Sequence, residues 1–239
     1  MPIVVGVLAC MGLVIGGVLS HLFGKMNRYN IYSLHAFCGS ILAGLLLFDI
    51  IPETFHHQPF ASVTIGVVGG VLIMILLEQL FPHHHDHDMQ PSMYSFLFLI
   101  VAIFIHNIPS GFAWGSTLTD NSHSHITLLA AIFLHHIPEG VALMIPCLFI
   151  KRGMMFYISG IIVLSSLLSI CTWLGGHIIL ESLRLQGIMM GLAIGGIGYV
   201  TVHEMLWKAK KRMNFLSFLL YLFIGISVIA VYSTVSGHH

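Results

Sequence analysis

The chain has 239 residues, 57% of them hydrophobic and only 8% charged, and its nine basic and nine acidic side chains leave no formal net charge. A soluble domain has too few charges at this composition to cover so much apolar surface, and the lack of a basic patch excludes a nucleic-acid partner. The alternating polarity of a membrane barrel is absent, so helices remain the only form in which these segments can cross a bilayer with their backbone satisfied.

Apolar runs of about 20 residues predict eight spans. The first, 2–23, lacks the basic leader and small-residue cleavage site of a signal peptide. It carries Gly12 and Gly16 at a spacing suited to close helix packing, or to a smooth surface along which helices slide. The second, 31–52, has Asp49 and Glu53 near its outer end, one helical turn apart. These two either guide an incoming cation or sit as interfacial carboxylates in water. The third, 60–81, repeats the glycine pair at Gly66 and Gly70 and carries Glu78 near its end. A connecting stretch, 82–92, then holds His83, His84, His85, Asp86, His87 and Asp88. Such a tract chelates metal in almost any conformation, which suits capture or buffering better than a fixed transport geometry.

Spans four and five, 93–117 and 125–149, carry two nearly matching stretches, "AIFIHNIPSGFA" from Ala102 and "AIFLHHIPEGVA" from Ala131. Span six, 154–180, offers Ser165, Ser166, Ser169 and His177 but no carboxylate. Span seven, 187–207, has Gly191, Gly195, His203 and Glu204, and span eight covers 214–236. The terminal His238 and His239 receive no role. Cys10, Cys38, Cys147 and Cys171 show no CxxC spacing and read as small buried residues. The expected organisation is one polytopic membrane domain over 1–239.

Charge orients the bundle. Lys25, Arg28, Lys151, Arg152, Lys208, Lys210, Lys211 and Arg212 fall in connections on one face, and Arg184 alone lies on the other. By the positive-inside rule that face is cytoplasmic, which puts the His-rich 82–92 loop inside and both termini outside.

Because spans four and five are consecutive, they run antiparallel, and their motifs can meet at one depth. Within a helix, residues four apart share a face, which pairs His135 with Glu139 and His106 with Ser110. Asn107 and His136 follow at about 100° around the axis and serve a neighbouring face. Pro109 and Pro138 each remove an N–H and clash with the carbonyl four residues back, so the expectation is a kinked helix with freed carbonyls beside each histidine. Discontinuous helices at mid-membrane depth are a common way to build ion sites. Polar side chains there are costly and usually functional, and imidazole with carboxylate suits a divalent first-row metal, zinc first.

"HNIPSG" and "HHIPEG", in the fourth and fifth of eight spans, resemble the signature of the Zrt/Irt-like (ZIP) divalent-metal transporters. "AGLLLFDIIPE" (43–53) is similar to the family's second span, "GYVTVHEML" (198–206) resembles its seventh, and the His-rich loop sits in the matching place. The resemblance implies an eight-helix bundle that takes up zinc, sometimes iron, manganese or cadmium, into the cytoplasm by moving a transport bundle against a scaffold. The residues themselves read as a metal site coordinated by His106, His135 and Glu139, with Asn107, Ser110 and His136 beside it. If Glu78, His203 and Glu204 are adjacent, they would form an exit-side site as in some relatives. Many members carry an acid where Ser110 stands, and some add a glutamate in span six, so this chain departs from a two-metal arrangement.

The expected partners are thus a divalent metal ion, the lipid bilayer and a second copy of the chain, in the plasma membrane, with no enzymatic activity. An intramembrane metalloprotease needs His-Glu-x-x-His, and Trp207 stands where the second ligand belongs. Haem needs wide apolar space between its ligands, whereas Glu139 lies one turn from His135. A metal sensor that binds without transporting remains the alternative.

Overall fold

A computed structural model describes residues 1–26, 28–80, 93–117, 125–178 and 182–235. Helices fill these segments: α1 Pro2–Met26, α2 Arg28–Leu45, α3 Ile51–His57, α4 Phe60–Leu80, α5 Met93–Thr117, α6 His125–Cys147, α7 Gly153–His177, α8 Leu183–Tyr199, α9 Lys208–Arg212 and α10 Phe215–Val235. No described residue lies in a strand. Two π-helical turns, Leu46–Ile50 and Val200–Trp207, join α2 to α3 and α8 to α9. Counting each joined unit once, eight helical segments among the described residues are long and apolar enough to cross a membrane. The chain is an all-α integral membrane protein. The tract His83, His84, His85, Asp86, His87 and Asp88 lies outside the described residues.

Close backbone contact organises the bundle. α4 packs on α8, α1 on α6, α5 on α7 and α2 on α10. The glycine pairs of the sequence sit in these seams. A Cβ at Gly66 would strike the backbone at Ile188 and Gly191, and one at Gly195 the backbone at Val67 and Gly70. With no hydrophobic drive between helices in lipid, such close approach supplies the dispersion contact that holds them together. α6 is the most enclosed span, 67% buried over its apolar stretch, and α10 the least, at 17%. Phe215, Leu216, Phe223 and Val231 on α10 are accordingly exposed, as lipid-facing side chains are.

The prolines do not interrupt the helices that carry the paired motifs. α5 continues through Pro109, and α6 through Pro138 and Pro146. Helical structure is thus continuous through both prolines at which a kink is expected. In a packed bundle, neighbouring groups can satisfy what proline frees, so the helix passes through. Hydrogen-bond register changes elsewhere instead. At the first π turn the Ile51 N–H reaches back five residues to the Leu46 carbonyl. Pro52 follows it, and the Phe48 carbonyl four residues before Pro52 faces Ser233 Oγ at 3.5 Å. No proline accounts for the second π turn, which carries His203 and Glu204. Such turns concentrate at functional sites.

Candidate metal centre

α5 and α6 bring the two motifs together at mid-helix. His106, Asn107, Ser110, His135, His136 and Glu139 are all buried, each at most 4% exposed. A carboxylate held this deep costs several kcal/mol, of order, unless cations or donors surround it. Here three imidazoles do. His106 Nε2 and His135 Nε2 each lie 2.8 Å from Glu139 Oε1, and His136 Nε2 lies 3.8 Å from Oε2. The i,i+4 spacing delivers His135. His106 arrives across the helix pair.

Backbone carbonyls settle two tautomers. His106 Nδ1 lies 3.1 Å from the Ala102 carbonyl and His136 Nδ1 2.7 Å from that of Ile132. A carbonyl only accepts, so Nδ1–H donates in both rings and Nε2 is the lone-pair face with which imidazole binds metal. Held against a carboxylate, such a nitrogen needs a cation between the two, either a proton or a metal ion. His135 Nε2 approaches Glu139 without hydrogen-bond geometry, and its Nδ1 has no partner among the described residues.

One ligand atom each from His106, His135 and Glu139 lies within 4.8 Å of the other two. Tetrahedral zinc with bonds of about 2.0–2.2 Å wants its ligands roughly 3.3 Å apart, so small side-chain shifts suffice. The remaining motif residues differ. Both side-chain atoms of Asn107, and Glu139 Oε2, are buried without a hydrogen-bond partner, which leaves them free for a ligand. Ser110 Oγ donates to the His106 carbonyl at 2.8 Å and so is turned toward its own helix. Nothing from α7 joins them: Ser165 bonds the Ile161 carbonyl, Ser169 that of Pro2, and His177 is exposed.

Packing holds this geometry. A Cβ at Gly12 would strike the Phe133 carbonyl and His136, and one at Gly140 the Leu13 backbone, so both glycines let α1 close on α6. Tyr157 donates to the Leu13 carbonyl at 2.5 Å and lies 3.3 Å from the Gly140 carbonyl, locking α7 to the same seam. Trp114 stands edge-on to His135 and lies tilted against His136, with ring centroids 6.4 and 6.5 Å away. No sequence signal marked Trp114.

Glu53 and His57 form an exposed pair at 3.0 Å. Asp49 lies inside the first π turn, with Tyr232 of α10 as an electrostatic neighbour. A π turn changes the angular step, so the α-helical argument for a shared Asp49–Glu53 face does not carry across it. At the other end, His203 Nδ1 lies 3.7 Å from Glu78 Oε1 and 3.5 Å from Glu204 Oε1. These three are brought together. Tyr199 donates to Glu78, and Lys208 pairs with Glu204. His35 is buried on α2, which packs against the π turn that carries Glu204. Sequence reasoning passed over His35, although a histidine inside the apolar second span was signal enough.

The family described as ZIP Zinc transporter matches residues 82–233, more than half of the chain. A comparison with curated proteins returns no match.

Proposed function

This chain belongs to the ZIP zinc transporter family, and we propose that it carries zinc into the cytoplasm through the His106–His135–Glu139 centre. Family membership establishes divalent-metal transport across a membrane and supports a non-enzymatic role. The observation that carries the finer reading is the convergence of His106 Nε2 and His135 Nε2 on one carboxylate oxygen of Glu139, 2.8 Å from each, between two spanning helices. Two imidazoles and one carboxylate form a borderline donor set, which suits zinc and also admits iron, manganese or cadmium.

Transport needs a site that binds and also lets go. Three protein ligands bind a divalent ion without closing its coordination shell, so an incoming water or ligand can begin its release. Neutral imidazoles leave a single zinc with Glu139 at a net charge near +1. A second zinc would raise it to about +3, in a setting where repulsion is poorly screened. One ion at this centre is the consistent occupancy, with Asn107, His136 and Ser110 at its margin. Asp49 and Glu53 fit an outer approach, and Glu78, His203 and Glu204 an inner exit. The inward direction rests on the family resemblance, and the basic-residue bias supplies the orientation of the bundle in which it is read.

Uptake into vesicles containing the purified chain, compared for zinc, manganese, iron and cadmium, tests the reading. Zinc should be carried best and Glu139→Gln should abolish the signal. Uptake unaffected by that substitution sinks the centre. Single cysteines at Ser122 and Gln90, in a cysteine-free background, should react with an impermeant reagent from opposite faces.

A further inference from the structure

The basic run after α8 does not behave uniformly. Lys210 and Lys211 lie over the Trp207 ring, 5.5 and 5.0 Å from its centroid, where lysines at a membrane surface commonly sit. Lys208 turns the other way and pairs with Glu204. On an open helix surface a Glu–Lys pair four residues apart would be routine, worth a few tenths of a kcal/mol. Glu204 is not on an open surface. It is 3% exposed, whereas the Lys208 side chain is 24% exposed. The lysine therefore reaches from the edge of the bundle into a buried carboxylate on a four-carbon stem.

Around that pair, hydrogen-bonding capacity is left over. Glu204 Oε1, Thr201 Oγ1 and both ring nitrogens of His35 are buried without a hydrogen-bond partner among the described residues. His203 sits between Glu204 and Glu78. Gly39, one turn from His35, lets α2 close on Met205 and Leu206 and so brings His35 beside the Glu204 turn. Carboxylate, imidazole and hydroxyl groups thus surround a position whose charge is balanced by a tethered ammonium.

We propose that Lys208 is a built-in counter-ion that a divalent cation must displace from Glu204, and that it thereby keeps metal binding at the basic end of the bundle weak. A cation reaching Glu204, His203 and Glu78 has to exchange with the ammonium, which swings out toward solvent. The ammonium returns when the ion leaves, so the buried carboxylate is never left uncompensated. Lys208 acts through Glu204 as a positioning residue, favouring release over retention. The inference rests on the reading that metal leaves at this end.

Two measurements test it. In the unmodified chain, zinc should increase acylation of Lys208 by an amine-reactive reagent at least about threefold relative to Lys210 and Lys211. Unchanged or reduced Lys208 labelling overturns the proposal. Zinc titration, with His83, His84, His85 and His87 replaced by serine in every sample, gives the second measurement. Lys208→Gln should tighten a second zinc equivalent by about tenfold or more and slow turnover. Lys208→Arg, which keeps the charge, should not tighten it, and E204Q/K208Q should lose that equivalent. Equal tightening in the Gln and Arg variants, or none in Lys208→Gln, also overturns it. The labelling result holds even if Lys208→Gln fails to fold. Glu139→Gln, run in parallel, separates the two readings. A first equivalent that survives this substitution counts against the central site alone, and flat Lys208 labelling counts against Lys208 alone.

Discussion

The centre between α5 and α6 and the cluster at the basic end of α8 use the same chemistry, histidine with glutamate, in opposite electrostatic settings. At the centre no lysine or arginine pairs with Glu139, whose ion-pair partners among the described residues are three imidazoles. At the basic end the equally buried Glu204 is held by Lys208, and His203 is partly exposed. A carboxylate surrounded by imidazoles lacks a fixed cation and favours retaining a metal. One already neutralised by an ammonium binds a metal only through exchange, and favours passing it on. On the proposed roles, the difference between holding and releasing would lie in the charge beside the carboxylate, not in the ligand types.

The largest expected effect comes from breaking the centre. His106→Ala, His135→Ala and Glu139→Gln should each reduce zinc uptake roughly 100-fold or more, because even groups that only orient a ligand are worth 10–100-fold. Near-normal uptake by a correctly inserted Glu139→Gln chain would show that the two clusters have been assigned the wrong roles.

A smaller effect sharpens the charge argument. Ser110→Glu adds a second carboxylate where the wild-type hydroxyl bonds the His106 carbonyl. Zinc should bind about tenfold more tightly and be released more slowly. Anomalous scattering at the zinc edge should show one ion at the centre of the unmodified chain, and the variant should admit a second. Two full peaks without the substitution would contradict the +1 reckoning.

His136→Ala and Asn107→Ala should cost less, roughly three- to tenfold in uptake. His136 stands 3.8 Å from the second Glu139 oxygen, nearer than its place off the main helix face suggests, so the His136 variant should be the more affected. Equal losses for His136→Ala and His135→Ala, measured as zinc affinity, would move His136 into the ligand set.

The smallest effect is expected from the loop. Replacing His83, His84, His85 and His87 by serine should change maximal uptake by less than about twofold, since a tract that chelates in any conformation imposes no transport geometry. Complete loss of uptake would put the route through the loop instead of the helix pair.

Much of the architecture was written in the order of residues. Spanning length depends on a run of about 20 apolar side chains, a local and additive property, so eight spans could be counted without coordinates. Helical periodicity is local too, and it placed His135 beside Glu139 before any packing was known. The glycine pairs at Gly66, Gly70, Gly191 and Gly195 announced close helix contact without naming which helices meet. Only the tertiary structure decided that α4 meets α8, that His106 reaches Glu139 from the neighbouring helix, and that Trp114 and His35 join the two polar clusters. It also decided that Pro109 and Pro138 pass through unbroken helices while register shifts at Leu46–Ile50 and Val200–Trp207. Among the four basic side chains of "KAKKR", only Lys208 turns inward to a buried carboxylate. These outcomes depend on the rotation and depth of one helix against another. That is set by the sum of many weak contacts across the bundle, which no single segment of sequence contains.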